Sequence, residues 1–122
     1  MYSFENLKVW QESINLSVLV YEKCKNYPTE EKYGIVSQMT RAVISVSSNI
    51  AEGTSKTSFK DQLRFVEIAY GSLMELLSQI IISIKLKYID DKEYNQLRNK
   101  IDEVSKLLSG YRKSLIKRGK LL

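Results

Sequence analysis

Residues 58–86 read SFKDQLRFVEIAYGSLMELLSQIIISIKL, and the spacing of their apolar side chains decides the fold. Phe59, Leu63, Val66, Tyr70, Leu73, Leu77, Ile80 and Ile84 follow one another at alternating steps of four and three. That seven-residue repeat, sustained without a slip, belongs to a helix with one apolar seam and not to the alternation of a strand. Ser58 with Asp61 three residues on is a capping start, weaker than one with Glu or Gln in third place. The spacing predicts a helix over 58–88.

The same period extends in both directions. Tyr88 to Asp91 is a break, and Asp90 followed by Glu93 signals the start of a fourth helix over 91–116. Tyr94, Leu97, Ile101, Val104, Leu108, Tyr111 and Leu115 form its seam, and Lys117 to Leu122 reads as a frayed basic tail. Upstream, Gly53 to Thr57 is a short polar loop. Before it, Val36, Met39, Val43, Val46 and Ile50 mark a second helix over 30–52, with Thr29 as its cap and Glu30 and Glu31 in its first turn. Gly53 is expected to end that helix in the left-handed conformation. A first helix over 5–26 carries Leu7, Trp10, Ile14, Tyr21 and Cys24 on one face, with Ser17 in the vacant position. It stops at Asn26-Tyr27-Pro28, the chain's one proline. Short loops between seams of this period predict an all-α, antiparallel up-down four-helix bundle, a single domain over 1–122.

The third helix carries more apolar surface than one core uses. At roughly 100° per residue, Phe65, Ile68, Ser72, Glu75, Gln79, Ile82 and Leu86 fall on a second stripe about opposite the first. Apolar residues gathered on one stripe point to contact with another subunit. On the second helix, Gln38, Arg41, Ser45, Ser48 and Glu52 lie nearly opposite its core seam. Small serines there allow close helix approach, and Arg41 can reach a carboxylate across an interface. An ordinary solvated face accounts for this second set equally well.

Composition narrows the chemistry. The chain has 122 residues, no histidine and one cysteine, Cys24. No internal disulfide can form, and Cys24 reads as a small core residue. Ser-His-Asp and Cys-His arrangements are impossible, as are the Glu-x-x-His pairs of di-iron bundles. There is no phosphate-cradling glycine-rich loop. Glu52, Glu67 and Glu75, as helical carboxylates, read as surface or ion-pair residues. No enzyme activity, cofactor or metal is expected. The N-terminus lacks a secretory pattern, and the most apolar stretch, Leu73 to Leu86, is too short and polar to span a bilayer. A cytoplasmic protein with no membrane association is expected.

Nineteen Lys and Arg against fourteen Asp and Glu give a formal charge of +5. From Tyr94 onward eight basic residues face only Asp102 and Glu103, an excess of +6 that includes Arg112, Lys113, Lys117 and Arg118. Such an end attracts polyanions. Lys56, Lys60 and Arg64 recur every four residues around the start of the third helix, beside amides that also attract phosphate. With Arg41 these are the candidate nucleic-acid contacts. They have no base-reading signature, so the patch is of the phosphate-contacting kind. The bland alternative is a solvated face whose charges keep the chain soluble.

Four segments carry a family resemblance. They are Phe4-Glu5-Asn6-Leu7-Lys8-Val9-Trp10-Gln11, Tyr33-Gly34-Ile35-Val36-Ser37-Gln38, Ser48-Asn49-Ile50-Ala51-Glu52-Gly53, and Ile68-Ala69-Tyr70-Gly71-Ser72-Leu73-Met74-Glu75-Leu76. Together they resemble the four-helix-bundle proteins encoded in intervening sequences of bacterial 23S ribosomal RNA genes. Departures fall at Thr40, where the family often has a second Arg beside Arg41, at Ser47, often Pro, and at Leu77, often Glu. The resemblance implies a ring of five subunits with a positive surface. It also implies kinship with the accessory variability protein of diversity-generating retroelements, which binds a reverse transcriptase and nucleic acid. The expected function is therefore a non-catalytic, oligomeric nucleic-acid-binding protein associated with ribosomal RNA or its intervening sequence, with RNA or DNA as partner. The alternative is a ring-shaped scaffold that recruits a partner protein.

Overall fold

The apolar seams close on one another in the computed structural model, which describes residues 1–120. Among these residues there are four α-helices and no strand: α1 (Lys8–Cys24), α2 (Ile35–Thr54), α3 (Phe59–Lys85) and α4 (Asp91–Lys120). Single 3₁₀ turns precede α1 (Ser3–Asn6) and α2 (Thr29–Glu31). Each helix packs on its neighbours in the chain, and α1 also packs on α4, so the four close into a bundle around one core. The contacts fix the directions. Between α2 and α3, Met39 meets Ser83, Ser45 meets Ser72 and Gly53 meets Phe65, a register that runs in opposite senses. Between α3 and α4, Glu67 meets Arg112 and Phe59 meets Gly119 in the same antiparallel manner.

The seams of α2 and α4 lie where the sequence places them. Met39, Val43, Val46 and Ile50 of α2 are buried, as are Leu97, Ile101, Val104, Leu108 and Leu115 of α4. The other two faces are turned. In α1 the buried residues are Val9, Ser13, Leu16 and Val20, while Tyr21 is exposed and Leu7, Trp10 and Cys24 only border the core. Ser13 conceals this face in the sequence. Its hydroxyl is satisfied locally, donating to the Trp10 carbonyl at 2.6 Å. In α3 the buried line is Val66, Ala69, Leu73, Leu76, Ile80 and Ser83. Leu63, Leu77 and Ile84 border it, and Tyr70 is exposed. The α3 core face is thus rotated toward α2, with which it shares the most extensive interface.

The helix ends also differ from the expected bounds of 5–26, 30–52, 58–88 and 91–116. Residues 3–6 form a separate 3₁₀ turn, so α1 begins at Lys8. Thr29 opens a 3₁₀ turn and does not cap α2, which begins at Ile35 after Gly34. Glu31 spans that gap, accepting from the Ile35 amide at 3.5 Å and from the Tyr88 hydroxyl at 2.6 Å. The second bond raises the Tyr88 pKa above its ordinary value. Gly53 is not a left-handed cap. It is helical and buried inside α2, and no glycine has positive φ among the described residues. The left-handed residue is Lys87, φ 63°, at the end of α3. The Tyr88 amide bonds back to the Ser83 carbonyl at 2.9 Å and that of Lys87 to Ile84 at 3.0 Å, closing a Schellman motif. The other two capping signals hold. Ser58 accepts from the Asp61 amide at 3.1 Å, and Asp90 and Glu93 cap each other reciprocally at 2.8 and 3.1 Å. The basic tail is helical to Lys120, and Leu121 and Leu122 lie outside the described residues.

By length and composition α3 is long and apolar enough to cross a bilayer, against the expectation for Leu73 to Leu86. The apolarity follows from its position: it serves the core on one side, α4 on another, and leaves isoleucines exposed on a third.

Candidate nucleic-acid interface

Antiparallel topology brings together two basic segments that are far apart in sequence. The start of α3 lies beside the end of α4, where a Cβ at Gly119 would stand 3.3 Å from that of Phe59. Lys60 and Arg64 therefore share one end of the bundle with Arg112, Lys113, Lys117 and Arg118. Cutting the bundle midway, near the Ser45–Ser72 contact, separates residues 1–16, 45–72 and 105–120 from 17–44 and 73–104. The first half holds ten Lys and Arg against five Asp and Glu, net +5; the second holds nine against nine. The entire formal charge of the chain thus resides in one half.

Within that half, Phe65 organises two of the cations. Its side chain is buried against α2, where Gly53 leaves room for it. Lys56 Nζ lies 5.0 Å from the ring centroid and Arg64 Cζ 5.2 Å, cation–π distances that hold both charges at the surface. Arg64 and Lys60 flank a shallow cleft with Asp61, Leu63 and Glu67. Arg112 is shared with Glu67 at 3.5 Å across the α3–α4 groove, so part of its charge is answered within the chain. Lys113, Lys117 and Arg118 are exposed on the last turns of α4, where cations also complement the helix dipole. Arg118 lines an end cleft with Ser3, Leu7, Thr54, Gln62, Tyr111 and Leu115. Burial raises the pKa of the Tyr111 hydroxyl there, and neighbouring Arg118 opposes that shift.

Arg41 stands apart. It is exposed on α2 between Met39 and Ser45, in the half without net charge. The α3 stripe expected at an interface also divides. Phe65 and Gln79 are 8% and 5% exposed within the single chain, and Ser72 is half-buried in a 2.8 Å bond with Ser45. Phe65 and Ser72 face α2 and Gln79 is buried within the chain, so the three are not free for another subunit. Ile68, Ile82 and Leu86 are 42%, 46% and 51% exposed and remain the open part of the stripe, and Ile44 of α2 is likewise 44% exposed. Among the described residues no group of three or more Cys, Asp or Glu stands close enough to hold a metal ion. Sequence reasoning missed Gly53 and Phe65 as the support beneath Lys56 and Arg64. The signal present was the four-residue basic spacing flanking an aromatic.

A family model described as 23S rRNA-intervening sequence protein matches residues 5–110. Among solved structures, the fold is similar to a protein with unknown function from the S23 ribosomal protein family of Bacteroides thetaiotaomicron VPI-5482. The two are 25% identical with a TM-score of 0.79, over 86% of this chain and 95% of that one. No curated protein matches the chain.

Proposed function

The chain belongs to the 23S rRNA-intervening sequence protein family, and on that premise we propose that it is a non-catalytic, oligomeric nucleic-acid-binding protein acting on ribosomal RNA or its intervening segment. The observation that carries this reading is the gathering of all the net charge, +5, into the half where α3 begins and α4 ends. Phosphates are the polyanion such a surface suits, and its exposed Lys and Arg side chains make contacts that carry little sequence information. Repetition of the patch around an oligomer adds many weak contacts through effective concentration. A cytoplasmic location, away from membranes, accompanies the reading.

Titration of purified protein with RNA and DNA at two salt concentrations tests it. Lys56, Lys60 and Arg64 replaced together by Gln are expected to weaken binding and flatten the salt dependence by roughly 0.7–0.9 for each phosphate no longer neutralised. Helix content by circular dichroism should not change. Wild-type protein that binds neither RNA nor DNA at low salt would overturn the reading. The exposed Ile44, Ile68, Ile82 and Leu86 favour a second reading, a scaffold that receives a partner protein on the α2–α3 face, and it then takes first place.

A further inference from the structure

The N-terminal 3₁₀ turn presents an aromatic ladder at the charged end of the bundle. Trp10 of α1 meets the edge of Phe4, with centroids 5.0 Å apart and planes at 65°. Phe4 in turn stacks on Tyr2, 6.3 Å between centroids and 8° between planes. The inner ring is half-buried, while Tyr2 is 75% exposed. This is a built turn and not a loose end. Glu5 accepts from the Tyr2 amide at 3.2 Å and returns its own amide to the Tyr2 carbonyl at 3.1 Å, while Gln11 Nε2 donates to the Glu5 carbonyl at 2.8 Å. Ser3, the next residue, lines the end cleft of about 180 Å³ together with Arg118.

We propose that the open face of Tyr2 is a stacking platform for an unpaired nucleobase, and that the charged half of the bundle therefore takes single-stranded nucleic acid in preference to duplex. The proposal rests on the nucleic-acid reading and names its substrate class. An exposed aromatic backed by further rings, beside cations that track phosphates, is the arrangement by which single strands are held without sequence preference. Bases inside a duplex are stacked on one another and present no face to Tyr2. Charge distinguishes this ring from Tyr33, which is 88% exposed but lies in the half with no net charge.

The test compares Tyr2→Ala, Tyr2→Phe and Tyr33→Ala on a fluorescein-labelled single-stranded RNA and on a duplex of the same length at low salt. Tyr2→Ala is expected to weaken single-strand binding about tenfold, with the salt slope unchanged and duplex binding intact. Tyr2→Phe and Tyr33→Ala should match wild type. Tyr2→Ala that binds the single strand like wild type, or loses both substrates equally, overturns the proposal. If the Lys56, Lys60 and Arg64 substitutions weaken binding while Tyr2→Ala does not, the inference fails and the functional reading stands. If wild type binds neither substrate, both fail.

Discussion

Gly53 and Gly71 are both helical, yet a methyl group added to each meets opposite surroundings. A Cβ at Gly53 would stand 3.0 Å from Phe65 Cβ and 3.6 Å from the Gln62 carbonyl oxygen, whereas at Gly71 nothing lies within 4 Å. Glycine in a helix costs about 1 kcal/mol relative to alanine, so an unobstructed replacement is a gain. Gly71→Ala should therefore stabilise the fold by about 0.5–1 kcal/mol. Gly53→Val should destabilise it by about 1–3 kcal/mol, the usual range for overfilling a packed contact. Urea midpoints of the two variants check this, and an unshifted midpoint for Gly53→Val would show that α2 and α3 are not held this closely. The same substitution should also loosen the seat of Lys56 and Arg64, since both lie over the ring that Gly53 accommodates. A glycine at a predicted helix end invites the left-handed explanation, and only the close approach of α3 reveals the steric one.

Between elements, α1 is tied to α4 by a partly buried ion pair. Lys100 Nζ lies 2.6 Å from Glu12 Oε2 and 3.0 Å from Glu103 Oε1. The hydrogen bond from Lys100 lowers the Glu12 pKa below its ordinary 4.5, and the bond to Glu12 raises that of Lys100 above 10.5. A lowered carboxyl pKa stabilises the fold above its unfolded value and ceases to do so as pH falls through the folded one; the raised amine acts in the mirror sense at alkaline pH. Glu12→Gln should thus cost up to about 1 kcal/mol near neutrality, and the difference from wild type should vanish in acid once Glu12 is protonated. A difference that stays constant across that range would mean the contact is not ionic. Elements of this kind are largely legible in the sequence. The α2 and α4 seams follow from period alone, because their opposite faces are polar. The α1 face does not, because Leu7, Trp10, Ile14, Tyr21 and Cys24 supply a competing apolar line and the true face contains Ser13. Nor does the start of α2, where the apolar and acidic signals around Thr29 are met by a 3₁₀ turn and Gly34.

At the scale of the molecule, two surfaces divide the work, and they are legible to different degrees. Each basic segment can be read from the sequence, but their convergence needs the antiparallel return of α4 along α3, and Arg41 groups with them in the sequence only because charge carries no address in a linear chain. The other surface, on the outer side of α2 and α3, presents Ile44, Ile68, Ile82 and Leu86. A second seam opposite the first is readable, yet periodicity at roughly 100° per residue cannot tell a contact with a neighbouring helix from one with another copy. Phe65 and Ser72 prove to be the former, and Gln79 is buried within the chain. If the remaining isoleucines meet another copy, a charge placed there should separate subunits without disturbing any core residue. Ile82 is the sharpest site, since it is 46% exposed and lies on the outer side of α3. Ile82→Glu is expected to lower the mass measured by light scattering toward that of the 14.1 kDa chain, with helix content and urea midpoint of the separated subunit retained. Nucleic-acid affinity should fall with it, although every basic side chain remains, because contacts repeated across an assembly become independent when the subunits part. Wild-type protein that is already monomeric would remove both the assembly and this argument for its affinity.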